Sequence, residues 1–118
     1  MRFFRKQNKY GNKKTVIDGI KFDSKKEGER FLQLKKLLDA GIIGDITVHP
    51  EFLLQEKFTD SSGKKHREIK YEADFKYFDK KIGKIIVEDV KGMRTQIYKL
   101  KKKLFLKIMP KYMIFVEK

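Results

Sequence analysis

"REIKYEADFKYFDKKIGKIIVEDVKG", residues 67–92, decides how this chain folds. Ile69, Tyr71, Ala73, Phe75 and Tyr77 alternate with polar residues, which predicts one strand with a single apolar face. "DKKIG" reads as a turn, and "KIIVEDVKG" as the antiparallel partner strand. That second strand ends on Glu88, Asp89 and Lys91, where a chain entering a core should carry no charge. Side chains two apart in a strand share a face, so Asp89 and Lys91 project with Ile85 and Val87. Glu88 points the other way and reads as a surface charge. If the hairpin closes through its turn, residues near 74 meet residues near 89, and Asp74 joins Asp89 and Lys91. Glu72, on the face of Asp74, is a reserve candidate.

Working outward, "FDSKKEGERFLQLKKLLDAG" predicts a helix capped by Asp23 or Ser24, striped by Phe31, Leu34, Leu37 and Leu38, and stopped at Gly41. Before it, Asp18-Gly19 between short β-prone runs predicts a type I′ hairpin. "ITVHPEFLLQEKF" is an extended segment interrupted by Pro50, and "TDSSGKK" is a turn. "TQIYKLKKKLFLKI" predicts a second helix, with Ile97, Leu100, Leu104 and Ile108 at helical spacing and lysines opposite. Pro110 ends it, and "YMIFV" predicts a final strand. The order is helix, three-strand meander, helix, strand: an α/β fold in one domain spanning residues 1–118, with 1–14 a basic flexible arm.

Composition narrows the function classes. With no cysteine, disulfides, thiolate zinc sites and cysteine nucleophiles are excluded. No apolar run approaches a membrane span, and no secretory signal is expected. The formal charge is +14, which opposes compaction and calls for an anionic counter-surface. Nucleic acid fits, because each neutralised phosphate releases counterions. A lysine-rich genome accounts for some of these lysines but not for their placement. The arm carries Arg2, Arg5, Lys6, Lys9, Lys13 and Lys14 without an acid, beside Phe3, Phe4 and Tyr10. The second helix sets further lysines opposite its apolar stripe.

Two close carboxylates repel each other unless something cationic lies between them. Lys91 offers one partner, and a hard divalent metal with oxygen ligands another. A surface ion pair of Asp89 with Lys91, Asp74 being solvated, is the alternative. Glu27 shares a helical face with Phe31, Leu34 and Leu38, which points it toward a site. It also completes the capping-box pattern "SKKE", so ligand and cap compete for one carboxylate. His49, before Pro50, reads as a strand-end residue, and His66 as solvated in a basic loop. No glycine pattern for phosphate binding and no nucleophile elbow occurs.

Glu27 on the first helix, Asp74 in "EADF", Asp89-Val90-Lys91 in "EDVKG" and a basic helix after them resemble the PD-(D/E)XK nuclease superfamily. The stretches "KYGNKKTVIDGIKFDSKKEGERF" and "VEDVKGMRTQIYKLKKKLF" are similar to small phage-encoded members, close to the Holliday-junction-resolving endonucleases of phages and archaea. Ala73 stands where the superfamily name has proline, and Asp89 where glutamate is more frequent. The resemblance implies a restriction-endonuclease-like core with a mixed central sheet flanked by helices. It implies magnesium-dependent DNA cleavage, with manganese able to substitute, at Glu27, Asp74, Asp89 and the Val90 carbonyl, Lys91 positioning water. It implies DNA contacts from the arm and from Arg94, Gln96, Lys99, Lys102 and Lys103, with Tyr98 either a strand contact or core. It further implies a role in DNA recombination, a four-way-junction substrate, a homodimer and a cytoplasmic setting, that of the host for a phage protein. Less selective cleavage, or DNA binding without catalysis, are the alternatives. The dimer surface would come from Phe52, Leu53 and Leu54, which cannot all face one core, or from the aromatics of the arm.

Overall fold

The structure, a computed structural model, describes residues 14–90 and 94–118. Arg2, Arg5, Lys6, Lys9 and Lys13 of the arm, and Lys91, lie outside the described residues. Strands β1 (Thr15–Ile17) and β2 (Ile20–Phe22) pair antiparallel around Asp18 and Gly19, whose φ of 53° and 77° are the positive values a type I′ turn requires. Helix α1 (Lys25–Asp39) starts at Ser24, whose hydroxyl accepts the Glu27 N–H. It ends in a Schellman motif: Ile42 N–H donates to Leu37 C=O and Gly41 N–H to Leu38 C=O, with Gly41 at φ 76°. Gly28 faces β1 so closely that a Cβ there would meet Ile17 Cδ1 at 2.9 Å.

From Ile43 to Asp79 the chain forms one long antiparallel ribbon. Its base is β3 (Ile43–Val48) with β8 (Phe75–Asp79), its middle β4 (Glu51–Gln55) with β7 (Ile69–Glu72), and its tip β5 (Phe58–Thr59) with β6 (Lys65–His66). Both strands break between base and middle, one at His49-Pro50 and the other at Ala73-Asp74. The break is bridged by His49 N–H to Asp74 C=O at 2.9 Å and Ala73 N–H to Pro50 C=O at 3.0 Å. His49 is left-handed there, at φ 56°, although the residue before proline disfavours helical conformations.

The ribbon base continues into β9 (Lys84–Asp89), antiparallel to β8. After α2 (Gln96–Ile108), strand β10 (Met113–Glu117) adds parallel to β9. The central sheet therefore runs β10-β9-β8-β3 and is mixed, so the expected meander stands, with the ribbon's outer half inserted between its first two strands. One face packs Phe75, Tyr77 and Ile86 against Phe22, Phe31 and Leu34. The other packs Val87 against Tyr71, Ala73 and Phe105, with Phe52, Leu54 and Phe115 alongside.

Three expectations need correction. Ile69–Tyr77 is not one strand with one face: the break at Ala73-Asp74 shifts the alternation, so Tyr71 and Ala73 lie with α2 while Phe75 and Tyr77 lie with α1. The apolar stripe of α2 is turned outward. Ile97 is 67% exposed and Leu100 59%, and Leu104 and Ile108 are exposed too, whereas Phe105 is buried and Tyr98 packs beside it. Phe52 and Leu54 belong to the second core, leaving Leu53 alone exposed of that trio.

The phase of α2 is testable by truncation. Phe105→Ala should cost about 3–5 kcal/mol. Leu100→Ala should stay within about 0.5 kcal/mol, as at other surface positions. Urea midpoints of the two variants check this, and a larger loss at Leu100 would put the helix in the opposite phase.

Candidate functional site

The ribbon's break brings the two strand-end aspartates together. Asp74 N–H donates to the Glu88 carbonyl at 3.1 Å, and Asp74 Oδ2 accepts the Val90 N–H at 2.6 Å. These two bonds straddle Asp89, the residue between. Asp74 and Asp89 are both buried, and the Tyr71 hydroxyl donates to Asp89 Oδ2. Burial and that bond to Asp89 push the Tyr71 hydroxyl pKa far above the usual phenol range, so it remains a donor. Lys118 N–H closes the strand end on the Asp89 carbonyl at 2.8 Å. Lys91 lies outside the described residues. Glu72 is exposed and opposite Glu51 in the ribbon, away from the aspartates' bonds.

Glu27 is also buried, although it stands in the first turn of a helix. Its Oε1 lies 3.7 Å from His49 Nε2. His49 in turn holds the Asp74 carbonyl through its backbone N–H. The histidine read as a plain strand end therefore links Glu27 to the aspartate strand. Ser24 caps the helix through its own hydroxyl, so the Glu27 N–H is satisfied independently of where its carboxylate lies.

Glu88 is no surface charge. It is fully buried and receives Arg30 Nε at 2.5 Å, Arg30 Nη2 at 3.0 Å and the Tyr77 hydroxyl at 2.8 Å. A bidentate guanidinium is the partner that a buried carboxylate needs. The bonds to Glu88 raise the Arg30 pKa further, and burial with the Glu88 charge pushes Tyr77 up to about 12. Arg30 also lines a cleft of about 350 Å³ with Lys26, Glu29, Gln33, Val90 and Lys118, beside the strand end that carries Asp89. Sequence reading missed Arg30, Glu88, Tyr71 and Tyr77. The one available signal was Arg30 lying a helical turn beyond Glu27 on the apolar side of α1.

The predicted DNA contacts divide. Arg94 and Lys102 are paired with Glu117, Lys102 Nζ at 3.0 Å, and the Tyr98 hydroxyl donates to the same carboxylate. The Tyr98 bond, then Lys102 and Arg94, hold Glu117 down to about 2. Tyr98 is thereby half-buried against Tyr71, the core position rather than a strand contact. Gln96, Lys99 and Lys103 are exposed. Lys14 lies 3.3 Å from Asp23.

Among the described residues, no group of three His, Asp or Glu side chains is placed to hold a metal ion, and no helix is long and apolar enough to cross a membrane. The chain belongs to the family described as protein of unknown function DUF1064, whose model matches residues 7–115. No curated protein and no solved structure matches it.

The Arg30–Glu88 pair should behave as a buried ion pair. Arg30→Leu leaves a buried carboxylate without its cation and should cost about 3–5 kcal/mol. Arg30→Leu combined with Glu88→Leu should recover most of that loss. Chemical denaturation of the wild type, Arg30→Leu, Glu88→Leu and the double variant checks the cycle, and a fully additive double variant would deny the coupling.

Proposed function

We propose that this member of the DUF1064 family is a metal-dependent DNA endonuclease with a restriction-endonuclease-like core, hydrolysing phosphodiester bonds and preferring branched DNA. The observation that carries the reading is Asp74 bonded on both sides of Asp89. Both carboxylates are buried at the end of a sheet strand, in a chain of net charge +14. A basic protein gains nothing toward phosphate by gathering acids, so the acids point to a cation that meets the phosphate with them.

The donor set fits magnesium. That ion keeps several waters and is commonly held by one or two carboxylates plus substrate phosphate. Asp74 and Asp89 would hold it with the Val90 carbonyl; Glu27, buried beside His49, is not grouped with them to hold an ion. When bound, it supplies an activated water and neutralises charge on the phosphorus. The chain's own residues do the rest. Tyr71 fixes one carboxylate and the Val90 N–H the other, so neither must reorganise on binding. Lys91, two residues beyond Asp89, positions the attacking water. Lys26 and Lys118, which line the adjacent cleft with Glu29, receive the phosphate backbone. The bonds from Tyr71 and Val90 also suit purely structural carboxylates, which supports the second reading, DNA binding without catalysis.

Cleavage assays decide between them. Asp74→Asn and Asp89→Asn keep an acceptor for Val90 N–H and for Tyr71, so both should fold. Each should lose magnesium-dependent cleavage by orders of magnitude while DNA binding persists or tightens, since a charge repelling phosphate is removed. Glu27→Gln should lose activity as well if Glu27 serves the metal, and keep it if the residue serves only α1. Undiminished cleavage by both aspartate variants would overturn the proposal.

Symmetric cutting of a four-way junction requires two sites and thus a homodimer. Its surface in this reading is the outward ridge of Ile97, Leu100, Leu104 and Ile108 on α2, larger than the single exposed Leu53. Leu100→Lys with Leu104→Lys should convert dimer to monomer in light scattering, with little change in melting temperature. A wild-type chain that is monomeric at every concentration removes the dimer and leaves the nuclease reading standing.

A further inference from the structure

We infer that the tip of the ribbon, β5 with β6, is a binding site for an unpaired nucleotide of the DNA, its base stacked on Phe58 and its phosphate on Lys57 and Lys65. The inference rests on the DNA-directed reading above and adds a second contact to it, remote from the aspartates.

Four observations converge on the tip. The pair β5–β6 makes no extensive contact with any other element, so it is not there to complete a core. Yet it carries a large aromatic residue: Phe58 is 46% exposed and stacked on His66, ring centroids 4.7 Å apart and planes 14° apart. Phe58 and His66, with Lys57, Thr59 and Lys65, line a cleft of about 310 Å³. The tip's fixed cations are Lys57, Lys64, Lys65 and Arg67, against the single acid Asp60. Glu56 and Glu68 line a second cleft with Leu53 and Lys70, and Lys57 borders both clefts.

Asp60 is used internally. Its Oδ1 accepts from Ser62 N–H at 2.8 Å, Ser62 Oγ–H at 2.6 Å and Lys64 N–H at 3.1 Å. Its Oδ2 lies 2.7 Å from His66 Nε2. The turn is thereby locked, and so is the ring on which Phe58 stacks. An isolated two-stranded hairpin is marginal in water. This one spends its one acid on fixing a flat aromatic platform rimmed by ammonium groups. A platform already ordered loses little freedom when a ligand arrives. An aromatic face with cations beside it is what a nucleotide needs, and stacking of this kind is insensitive to base identity. A paired base hides its π-face in the duplex stack, so the ligand is a single-stranded or branch-point residue. Eight residues of extended chain separate His66 from Asp74, at most about 26 Å at ~3.3 Å each. The tip would thus hold a strand several nucleotides from the aspartates.

The test uses the full chain, with chelator present to prevent cleavage. Labelled oligothymidylate and a duplex of equal length are titrated by fluorescence anisotropy. Phe58→Ala should weaken oligothymidylate binding by about 5- to 100-fold and leave duplex binding within about twofold. Phe58→Trp should restore it, which a merely structural role for the side chain would not require. Lys57→Gln with Lys65→Gln should flatten the salt slope by about 0.7 for each phosphate that is no longer neutralised. Wild-type binding by both Phe58→Ala and Phe58→Leu overturns the inference. So does an equal loss on single strand and duplex, which would make the tip a phosphate contact only. Because no cleavage is measured, failure here leaves the nuclease reading intact. Inactivity of the nuclease, conversely, leaves the tip's binding to be judged on its own.

Discussion

Two backbone hydrogen bonds across the ribbon, His49 to Asp74 and Ala73 to Pro50, set the geometry on which the rest depends. Without them the long hairpin would run straight, and its alternation would keep Tyr71 on the side of Phe75. With them the outer half passes to the other face of the sheet. Tyr71 then lies under α2, where its hydroxyl reaches Asp89. Asp74 sits at the pivot, its side chain and backbone both tied to β9. The left-handed conformation of His49 before Pro50 is the backbone cost of this turn. Proline itself suits the corner, since its missing N–H is not needed where the ladder is broken.

Adjacent acids on β9 solve the problem of burial differently. Glu88 faces α1 and is neutralised by a guanidinium, in a pair whose desolvation is offset by fork geometry and the Tyr77 hydroxyl. Asp89 faces the opposite side and receives the Tyr71 hydroxyl, a neutral donor that orients the carboxylate. The two acids differ in these donors and not in depth, because both are completely buried.

Much of this fold was legible because local chemistry marks it. Ser24, Gly41 and Asp18-Gly19 each stand where the backbone conformation requires those residue types, and each appears there. The approach of Asp74 to Asp89 was legible too, since a hairpin closed through "DKKIG" admits few registers. What was not legible is tertiary. Alternation runs unbroken through Ala73-Asp74, so no local pattern announces that the strand changes sheet. In α2 two faces compete, Ile97-Leu100-Leu104-Ile108 against Tyr98-Phe105-Met109, and apolar spacing favours the first. The second wins because aromatic rings fill the space against Phe52, Tyr71 and Phe115, and because Lys102 lays its ammonium over Phe115 on the way to Glu117. Glu88 was misread for a related reason: period-two reasoning assigns a side but cannot see an arginine waiting on it.

The pairing of Arg94 and Lys102 with Glu117 also changes where the chain's excess charge acts. Those two cations, with Tyr98, stabilise the junction of α2 with β10 and are already compensated. Lys99 and Lys103 remain exposed on α2, beside the apolar ridge. Lys26 and Lys118 lie at the cleft near Val90, and Lys57 and Lys65 at the ribbon tip. A count of basic residues therefore overstates how much of α2 can meet phosphate and understates the other two places. Exposed charges more than about 10 Å apart are largely screened at moderate salt, so each place acts on the phosphates next to it. On the nuclease reading proposed above, the phosphates met at these places would belong to one extended or branched nucleic acid.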